Sequence, residues 1–275
     1  MVLPGYRYNF KIARIDSRGA WLATPGPELL LPSRECPREL APGMDLAVFV
    51  YLDRNNQLAA TTSMPLAQVG EFVQLQARSS GPHGTFLAWG LDKDLLAPFS
   101  EQARKMLDGR HYLVRICLDD QNRPIASSRL EKFLVKENRD LQPGDEVEVL
   151  IWAFTDLGAK VIANHTYEAL LYRNDIPTGM KTGDRTTGYV ARIRGDNRID
   201  ISLRRTGKEG IDDASATIME ALAATGSLPL HDQSPPELIK NRLGMSKKAF
   251  KKAVGGLYKQ GLIELTHQGI KLRRK

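Results

Sequence analysis

Cysteine is nearly absent from this 275-residue chain, which contains only Cys36 and Cys117. The two lie far apart and form no CxxC pair, which argues against a disulfide framework and against a Cys-based zinc site. Such sparse cysteine fits a reducing compartment, and we expect a cytoplasmic location. No pair of histidines has the spacing of metal ligands, so we expect neither a metal nor another cofactor. The histidines are His83, His111, His165, His231 and His267.

Long hydrophobic segments are also lacking. The longest apolar run covers residues 46–52, whereas a membrane-spanning helix needs about 20 residues. The first fourteen residues include Tyr6, Arg7 and Lys11 and therefore lack the apolar core of a signal peptide. We expect no membrane association.

The common catalytic signatures are missing as well. The chain has no GxSxG, HExxH or GxGxxG motif and no GxxxxGK followed by Ser or Thr. The adjacent acidic pairs at 119–120 and 212–213 are expected to serve a turn and a helix start, and no acidic cluster suits two metal ions. We therefore expect a protein that is not an enzyme.

Positive charge is in excess and is unevenly distributed. The net charge is +7 and the isoelectric point is about 9.4. Residues 211–275 contain 11 basic against 6 acidic side chains, which leaves 28 against 26 for residues 1–210. The basic balance therefore belongs mainly to the last quarter of the chain, and it favours a polyanionic partner.

Internal repeats organise the first 206 residues. Two pairs of matched segments lie 66 residues apart, namely 28–32 (ELLLP) with 94–98 (DLLAP) and 60–62 (ATT) with 126–128 (ASS). A third, more divergent copy is indicated by 70–73 (GEFV), which returns 74 residues later as 144–147 (GDEV). Repeats at a fixed period indicate one structural unit copied several times.

Each copy has the pattern of short strands separated by glycine-containing turns. Four to five strands in such a short repeat fit a small closed barrel, because an open sheet would leave its edges unprotected. We assign barrels to residues 1–62, 63–130 and 131–206 and a linker to 207–210. One or two helical turns are predicted within 98–107, and a mobile loop is predicted over 173–187.

The period changes after residue 210, where a winged helix-turn-helix is predicted over 211–275. Ser234 and Ser246 are expected to cap the second and third helices, and Gly244 is expected to end the second. The predicted order is a helix at 213–224, an extended piece at 228–230, a helix to Leu243, a helix from Ser246 and a hairpin at 262–272. The chain is thus expected to be mainly β with an α+β C-terminal domain.

Two long motifs carry a resemblance that covers nearly the whole chain. They are GYVARIRGDNRIDISL at 188–203 and MSKKAFKKAVGGLYK at 245–259. Together with the repeats, they resemble the conserved virulence factor B family of bacterial S1-like RNA-binding proteins. The resemblance implies three S1-like OB-fold barrels followed by a winged helix, RNA binding and a regulatory role, as a virulence regulator, after transcription.

One departure from the S1 pattern concerns a histidine that S1 domains place on their RNA-facing surface. By alignment, Leu31 and Ala97 take its place in the first two repeats and cannot make that contact. The third repeat has an aromatic residue, Tyr172, in this position, and we expect it to be a surface contact.

Candidate stacking residues follow the glycine of each repeat. Single-strand binding needs exposed rings and nearby cations, and Trp21 and Phe86 occupy the place where S1 domains carry a stacking ring. Lys160 holds the comparable place in the third copy. The alternative is that Trp21 and Phe86 are partly buried barrel residues. Trp89 and Trp152 are expected in the core.

A lysine-rich helix is the second candidate site. Five lysines occur between Ser246 and Gln260 without an acidic residue, and we predict that they contact phosphates. The alternative is an ordinary solvated face. Residues 273–275 are either a basic extension or a solubilising tail. The lysines are Lys247, Lys248, Lys251, Lys252 and Lys259.

Three functional hypotheses remain. The first is a regulator that occupies single-stranded RNA through its barrels and its basic winged helix. The second is a DNA-binding transcription regulator that uses the winged helix, although the lysine helix offers no Arg, Asn or Gln before Gln260 for reading bases. The third is a scaffold whose winged helix binds protein, in which case affinity would not depend on salt.

The absence of a Cys/His cluster predicts indifference to chelators. Incubation with EDTA should leave both the thermal unfolding transition and nucleic-acid binding unchanged, because zinc-dependent domains unfold when stripped of metal. Circular dichroism melting with and without EDTA measures this, and loss of the transition after chelation would contradict the prediction.

Overall fold

The computed structural model describes residues 1–53, 55–205 and 207–273, with the backbone alone for 207–210. By internal contacts the chain divides into two compact units. The first comprises Met1–Val135, Leu150–Trp152 and Lys181–Asp184, and the second comprises Lys136–Val149, Ala153–Met180 and Arg185–Lys275.

The first barrel is an antiparallel five-stranded sheet in the order β3-β2-β1-β4-β5. Its strands are β1 (Tyr6–Asp16), β2 (Gly19–Ala23), β3 (Leu29–Pro32), β4 (Asp45–Leu52) and β5 (Leu58–Thr61). Alternate side chains point inward, as the period of two requires, and β3 curls back to approach β5. Ile12, Leu22 and Leu31 are fully buried in its core.

The second barrel repeats this topology in the order β10-β9-β6-β7-β8. Its strands are β6 (Phe72–Gly81), β7 (Gly84–Ala88), β8 (Leu95–Pro98), β9 (His111–Leu118) and β10 (Pro124–Ser127). The same strand order in both barrels confirms that the 66-residue interval marks a repeated fold. A single 3-10 turn, Phe99–Glu101, follows β8, within the segment where a helical turn is predicted.

The third barrel is closed by hydrogen bonds in the order β11-β12-β13-β15-β14. Its strands are β11 (Glu146–Thr155), β12 (Gly158–Ala163), β13 (Tyr167–Tyr172), β14 (Arg185–Ile193) and β15 (Ile199–Ser202). Closure comes from β13 and β15, which pair in parallel with Ala169 opposite Ile199. The loop predicted over 173–187 is shorter than expected, because a 3-10 turn occupies Arg173–Asp175 and β14 begins at Arg185.

The C-terminal domain has the predicted winged-helix order. It comprises α1 (Gly207–Thr225), β16 (Ser227–Leu228), α2 (Pro236–Leu243), α3 (Lys247–Lys259), β17 (Ile263–Thr266) and β18 (Gly269–Leu272). The strands form a small sheet in the order β16-β18-β17. One buried cluster, which includes Ile218, Leu222, Phe250 and Leu257, joins α1 to α3.

Two details of the helix termini match the prediction and two do not. Ser246 caps α3 by accepting a hydrogen bond from the Ala249 amide at 3.2 Å, and Gly244 ends α2 with φ +64°. Ser234 does not cap α2; its hydroxyl accepts from the His231 amide at 3.0 Å instead. The segment 207–210, predicted as a linker, is instead the first turn of α1, a helix that buries Ala214, Ile218 and Leu222 further along.

Barrels 1 and 2 share a core within the first unit. Phe49, on β4 of barrel 1, is fully buried in the hydrophobic cluster of barrel 2, with its ring 5.5 Å from that of Trp89 in an edge-to-face arrangement. The Val69 amide donates to the Gly5 carbonyl at 2.8 Å across the same junction. The two barrels are therefore packed together as one body.

Among the described residues, no helix is both long enough and apolar enough to cross a bilayer.

Replacing Phe49 with Ala should destabilise the first unit by about 3–5 kcal/mol, the usual loss for a buried aromatic ring. Phe154, an exposed phenylalanine on β11, provides the matched control, and Phe154→Ala should change stability by less than about 0.5 kcal/mol. Urea unfolding monitored by circular dichroism measures both. Equal effects of the two substitutions would show that Phe49 does not hold the barrels together.

Candidate nucleic-acid interface

The three barrels present equivalent outward positions on their second strands. The strand register places Trp21 opposite Leu30, Phe86 opposite Leu96 and Lys160 opposite Leu170. Their neighbours in sequence on β2, β7 and β12 point into the barrels and are buried. The predicted equivalence of Trp21, Phe86 and Lys160 is therefore confirmed, while their contact with nucleic acid stays a prediction.

Trp21 is half-buried by polar neighbours on the outside of barrel 1. Its indole Nε1 donates to Asp16 Oδ2 at 2.8 Å, and the guanidinium carbons of Arg14 and Arg18 lie 4.3 and 4.7 Å from its ring centroid. The Arg18 amide and the Trp21 indole lower the pKa of Asp16 to about 2. A base binding here would meet a ring covered by guanidinium groups, which themselves stack on bases.

Tyr172 is at the outer end of β13, in a position that the sequence alignment misassigned by one residue. Gly158 pairs with Tyr172, just as Gly84 pairs with Pro98 in barrel 2. Tyr172 is therefore equivalent to Pro98 and, in barrel 1, to Pro32, and its equivalence with the buried Leu31 and Ala97 is wrong. Proline has no polar side chain, so Tyr172 alone among the three can offer a side-chain hydrogen bond.

A buried carboxylate fixes the surroundings of Tyr172. Asp200, whose side chain is 2% exposed, accepts from Arg192 Nε and Arg194 Nε at 2.6 Å each, and the Tyr172 hydroxyl lies 3.4 Å away. Burial alone would raise the pKa of Asp200, but the hydrogen bonds from Arg194 and Arg192 outweigh it and hold that pKa below its usual value. Two guanidinium groups are thus held beside an aromatic ring.

Sequence reasoning did not find Asp200, Arg192 or Arg194, although all three lie in the 188–203 motif. The available signal is a carboxylate between two isoleucines on a strand, because a buried charge is rare unless it is paired.

Basic residues continue around barrel 3 into a cavity of about 350 Å³. Four cations line it, Lys136, Lys160, Arg194 and Arg198, together with apolar side chains and two acids. Lys160 is ion-paired to Glu168 at 3.4 Å. This side of barrel 3 therefore combines positive charge with apolar surface.

The lysine helix α3 buries one face and exposes another, as predicted. Phe250, Ala253 and Leu257 are buried, whereas the lysines lie toward solvent. Lys248, Lys251, Lys252 and Lys259 are exposed and Lys247 is half-buried. Phosphate contact by these residues stays a prediction.

A groove of about 670 Å³ joins α3 to barrel 3 within the second unit. Lys248 and Lys252 line it from the helix, and Tyr189, Arg204 and Arg205 line it from the barrel. The Arg205 guanidinium lies 5.6 Å from the Tyr189 ring centroid. The groove is lined by six charged side chains, of which four are basic and two, Asp175 and Asp213, are acidic.

The winged helix is also held to barrel 3 by a direct hydrogen bond. Lys240 Nζ, on α2, donates to the Asn174 carbonyl at 2.9 Å in the turn after β13. The winged helix and barrel 3, which form the two sides of the groove, are therefore in direct contact.

The remaining candidates are divided. Trp89 is buried, as predicted, and its Nε1 donates to the Lys93 carbonyl at 2.7 Å. Trp152 is only half-buried, so its assignment to the core is wrong. Arg273 is exposed and lies 3.9 Å from Glu264, while Arg274 and Lys275 fall outside the described residues. Within the described part of the chain, no group of three acids, histidines or cysteines could hold a metal.

Two family models match the chain. One, a CvfB-like winged helix domain, matches residues 216–272, and the other, an S1 domain, matches residues 4–63. The two matches fall on the C-terminal domain and on barrel 1.

Full-length relatives are similar at low identity. Conserved virulence factor B of Staphylococcus aureus (strain N315) is 25% identical over 246 residues, covering 86% of this chain and 82% of that protein. The uncharacterized protein YitL of Bacillus subtilis (strain 168) is 23% identical over 270 residues, covering 94% and 90%. A crystal structure of a multidomain protein with nucleic acid binding domains from Streptococcus pneumoniae aligns over 98% of each chain at 20% identity, with a TM-score of 0.40.

S1-type barrels and a winged helix, with basic surface on barrel 3 and on α3, define a multidomain protein of the nucleic-acid-binding class. The matched models and relatives carry this further: the chain has a CvfB-like winged helix domain and an S1 domain, and it is similar to conserved virulence factor B over most of its length.

Replacing Asp200 with Asn should destabilise barrel 3 by about 1–3 kcal/mol at pH 7, because two arginines lose their charged acceptor. A carboxylate whose pKa is lowered by folding contributes its stability above the unfolded-state pKa, about 3.9, and loses it as the pH falls through the folded-state value. The difference between parent and variant should therefore shrink below about pH 4. Denaturant titrations from pH 7 to pH 3 measure this, and a constant difference would contradict it.

Proposed function

We propose that this protein is a cytoplasmic regulator that binds single-stranded RNA and acts after transcription by occupancy, without catalysing a reaction. The barrels contribute rings and cations, and the winged helix contributes further cations. The proposal starts from the nucleic-acid-binding class of its domains and adds the choice of RNA and the mode of action.

The observation that carries the proposal is the groove between barrel 3 and α3. Four cations from two domains face the same space, with the ring of Tyr189 among them. A flexible single strand needs this combination, because cations track its phosphates while aromatic rings stack on its bases. The Tyr172, Arg192 and Arg194 cluster adds a second ring with its own cations on the same barrel.

Linking several weak contacts accounts for useful affinity. Each stacked base contributes about 1–3 kcal/mol, and contacts on connected domains raise one another's effective concentration. The contact between α2 and barrel 3 supports this, because it keeps the two halves of the groove together.

A DNA-binding transcription regulator is the second candidate. It is favoured by the exposed lysines of α3, which is the second helix of a helix-turn-helix and would enter a major groove. Lysine is a flexible point charge without the planar fork that gives arginine its bidentate contact with guanine. In addition, the first half of α3 faces barrel 3 across the groove. A protein-binding scaffold is the third candidate, and it predicts affinity that does not depend on salt.

Substitution of lysines on α3 tests the proposal. Replacing Lys247, Lys248, Lys251 and Lys252 together with Ala should weaken RNA binding similarly for all sequences and flatten its salt dependence, by about 0.7 in log–log slope per lost phosphate contact. Alanine is a good helix former, so α3 should persist. Fluorescence anisotropy with labelled single-stranded RNA at several salt concentrations measures the slope.

A matched pair of double variants locates the contact. Lys248→Ala with Lys252→Ala removes charges that line the groove, whereas Lys251→Ala with Lys259→Ala removes equal charge from the same helix outside it. The first pair should weaken binding more. Equal losses of affinity in the two double variants would contradict RNA binding in the groove. Tighter binding of duplex DNA than of RNA would favour the transcription regulator. A salt dependence near zero for the parent protein would favour the scaffold.

A further inference from the structure

A separate cavity lies between barrels 1 and 2, within the first unit. Its volume is about 510 Å³, within the range of small-molecule sites, about 300–1,000 Å³. Phe86, Leu96 and Pro98 line it from the outer face of barrel 2, and Tyr51 and Asn56 line it from barrel 1. The ring of Phe86 is 37% exposed, so one side of the cavity is a flat aromatic surface.

The charges around this cavity are balanced and its cations are engaged. Lys93 donates to the carbonyls of Leu52 and Asp53 at 3.2 and 2.9 Å, and Arg123 Nε donates to Asp119 at 2.7 Å. Two cations therefore face two carboxylates, Asp94 and Asp119. Such a lining suits an uncharged ring better than a phosphate, in contrast to the basic groove beside α3.

Asp94 is ion-paired to Arg78, but one of its carboxylate oxygens lacks a hydrogen bond. Its Oδ1 is buried without a hydrogen-bond partner, and its nearest cation, Arg78 Nη1, lies 3.6 Å away, beyond hydrogen-bonding distance. The same register position is Glu28 in barrel 1, which Arg14 pairs at 3.0 Å, and Glu168 in barrel 3. A buried carboxylate oxygen without a hydrogen bond is unusual, and it leaves Asp94 able to accept a further donor.

We propose that this cavity binds the ring of a single nucleobase, with guanine preferred. The base would stack on Phe86 and donate hydrogen bonds to Asp94. An ionised carboxylate only accepts, and guanine has two adjacent donors, N1–H and N2–H, on its pairing edge. Adenine and cytosine each place a ring acceptor beside their amino group, and that acceptor would face the carboxylate unfavourably.

The same ring can come from a base of a bound strand or from a free nucleoside. The first source rests on the proposed function, whereas the second does not require it. Uncharged nucleosides therefore test the cavity by itself, and single-stranded oligonucleotides that contain or lack guanine test whether a strand delivers the base.

The experiment uses the full-length protein with guanosine, adenosine and cytidine, observed by ligand NMR. Guanosine should bind most tightly, and its affinity should stay constant from about 0.05 to 0.5 M salt because no phosphate is neutralised. Phe86→Leu keeps an apolar side chain but removes the ring, and it should weaken guanosine about tenfold. Asp94→Asn should remove the preference for guanosine.

Glu28→Gln is the matched control, because it neutralises the equivalent carboxylate of barrel 1 outside the cavity, and it should leave nucleoside binding unchanged. Thermal melting establishes that each variant is folded. Failure of the parent to bind any nucleoside, or equal binding by parent, Phe86→Leu and Asp94→Asn, would overturn the inference.

The oligonucleotide arm separates this inference from the proposed function. RNA binding that depends on Lys248 and Lys252 without any nucleoside binding would overturn the cavity proposal and leave the RNA-binding function standing. Guanosine binding without RNA binding would support the cavity as a site for a free nucleoside and overturn the RNA-binding function.

Discussion

The close approach of two backbones at the start of each second strand determines where the outward side chains lie. A Cβ on Gly19 would stand 2.0 Å from the Leu31 carbonyl oxygen, and Gly84 and Gly158 meet the equivalent oxygens at 2.2 Å. No other residue fits there, so the pairing between the second and third strands cannot slip. Because a one-residue slip would turn every side chain to the opposite face, this fixed register keeps the second residue after each glycine on the outside.

Two surfaces of different character result from the same fold. Around barrel 3 and α3, cations from separate elements converge on an open groove, a setting for attraction that depends on charge and is screened by salt. Between barrels 1 and 2, Lys93 is hydrogen-bonded to carbonyls and Arg123 is paired with Asp119, and the cavity is also lined by the ring of Phe86 and by aliphatic side chains. The same barrel fold thus carries a charged groove at one end of the chain and a largely apolar cavity at the other.

The repeated fold was predictable because its signals are local. Glycine spacing, alternating side chains and helix caps such as Ser246 act within a few residues and can be read from the sequence. The misses depend on contacts between distant segments. Tyr172 was assigned one position away from its true equivalent, because a run of hydrophobic residues does not specify strand register. The burial of the Asp200 carboxylate is explained only by the arginines of the neighbouring strand. The cavity beside Phe86 needs a second barrel, which no periodicity within one repeat reveals.

The burial of the Phe49 ring in the neighbouring barrel makes barrels 1 and 2 dependent on each other. The S1 match ends at residue 63, yet the ring of Phe49 completes the interior of the next barrel. Barrel 1 on its own would leave that ring in water, and barrel 2 on its own would contain a void where the ring belongs. We therefore expect that barrels 1 and 2 would have to be deleted or exchanged together, as a pair.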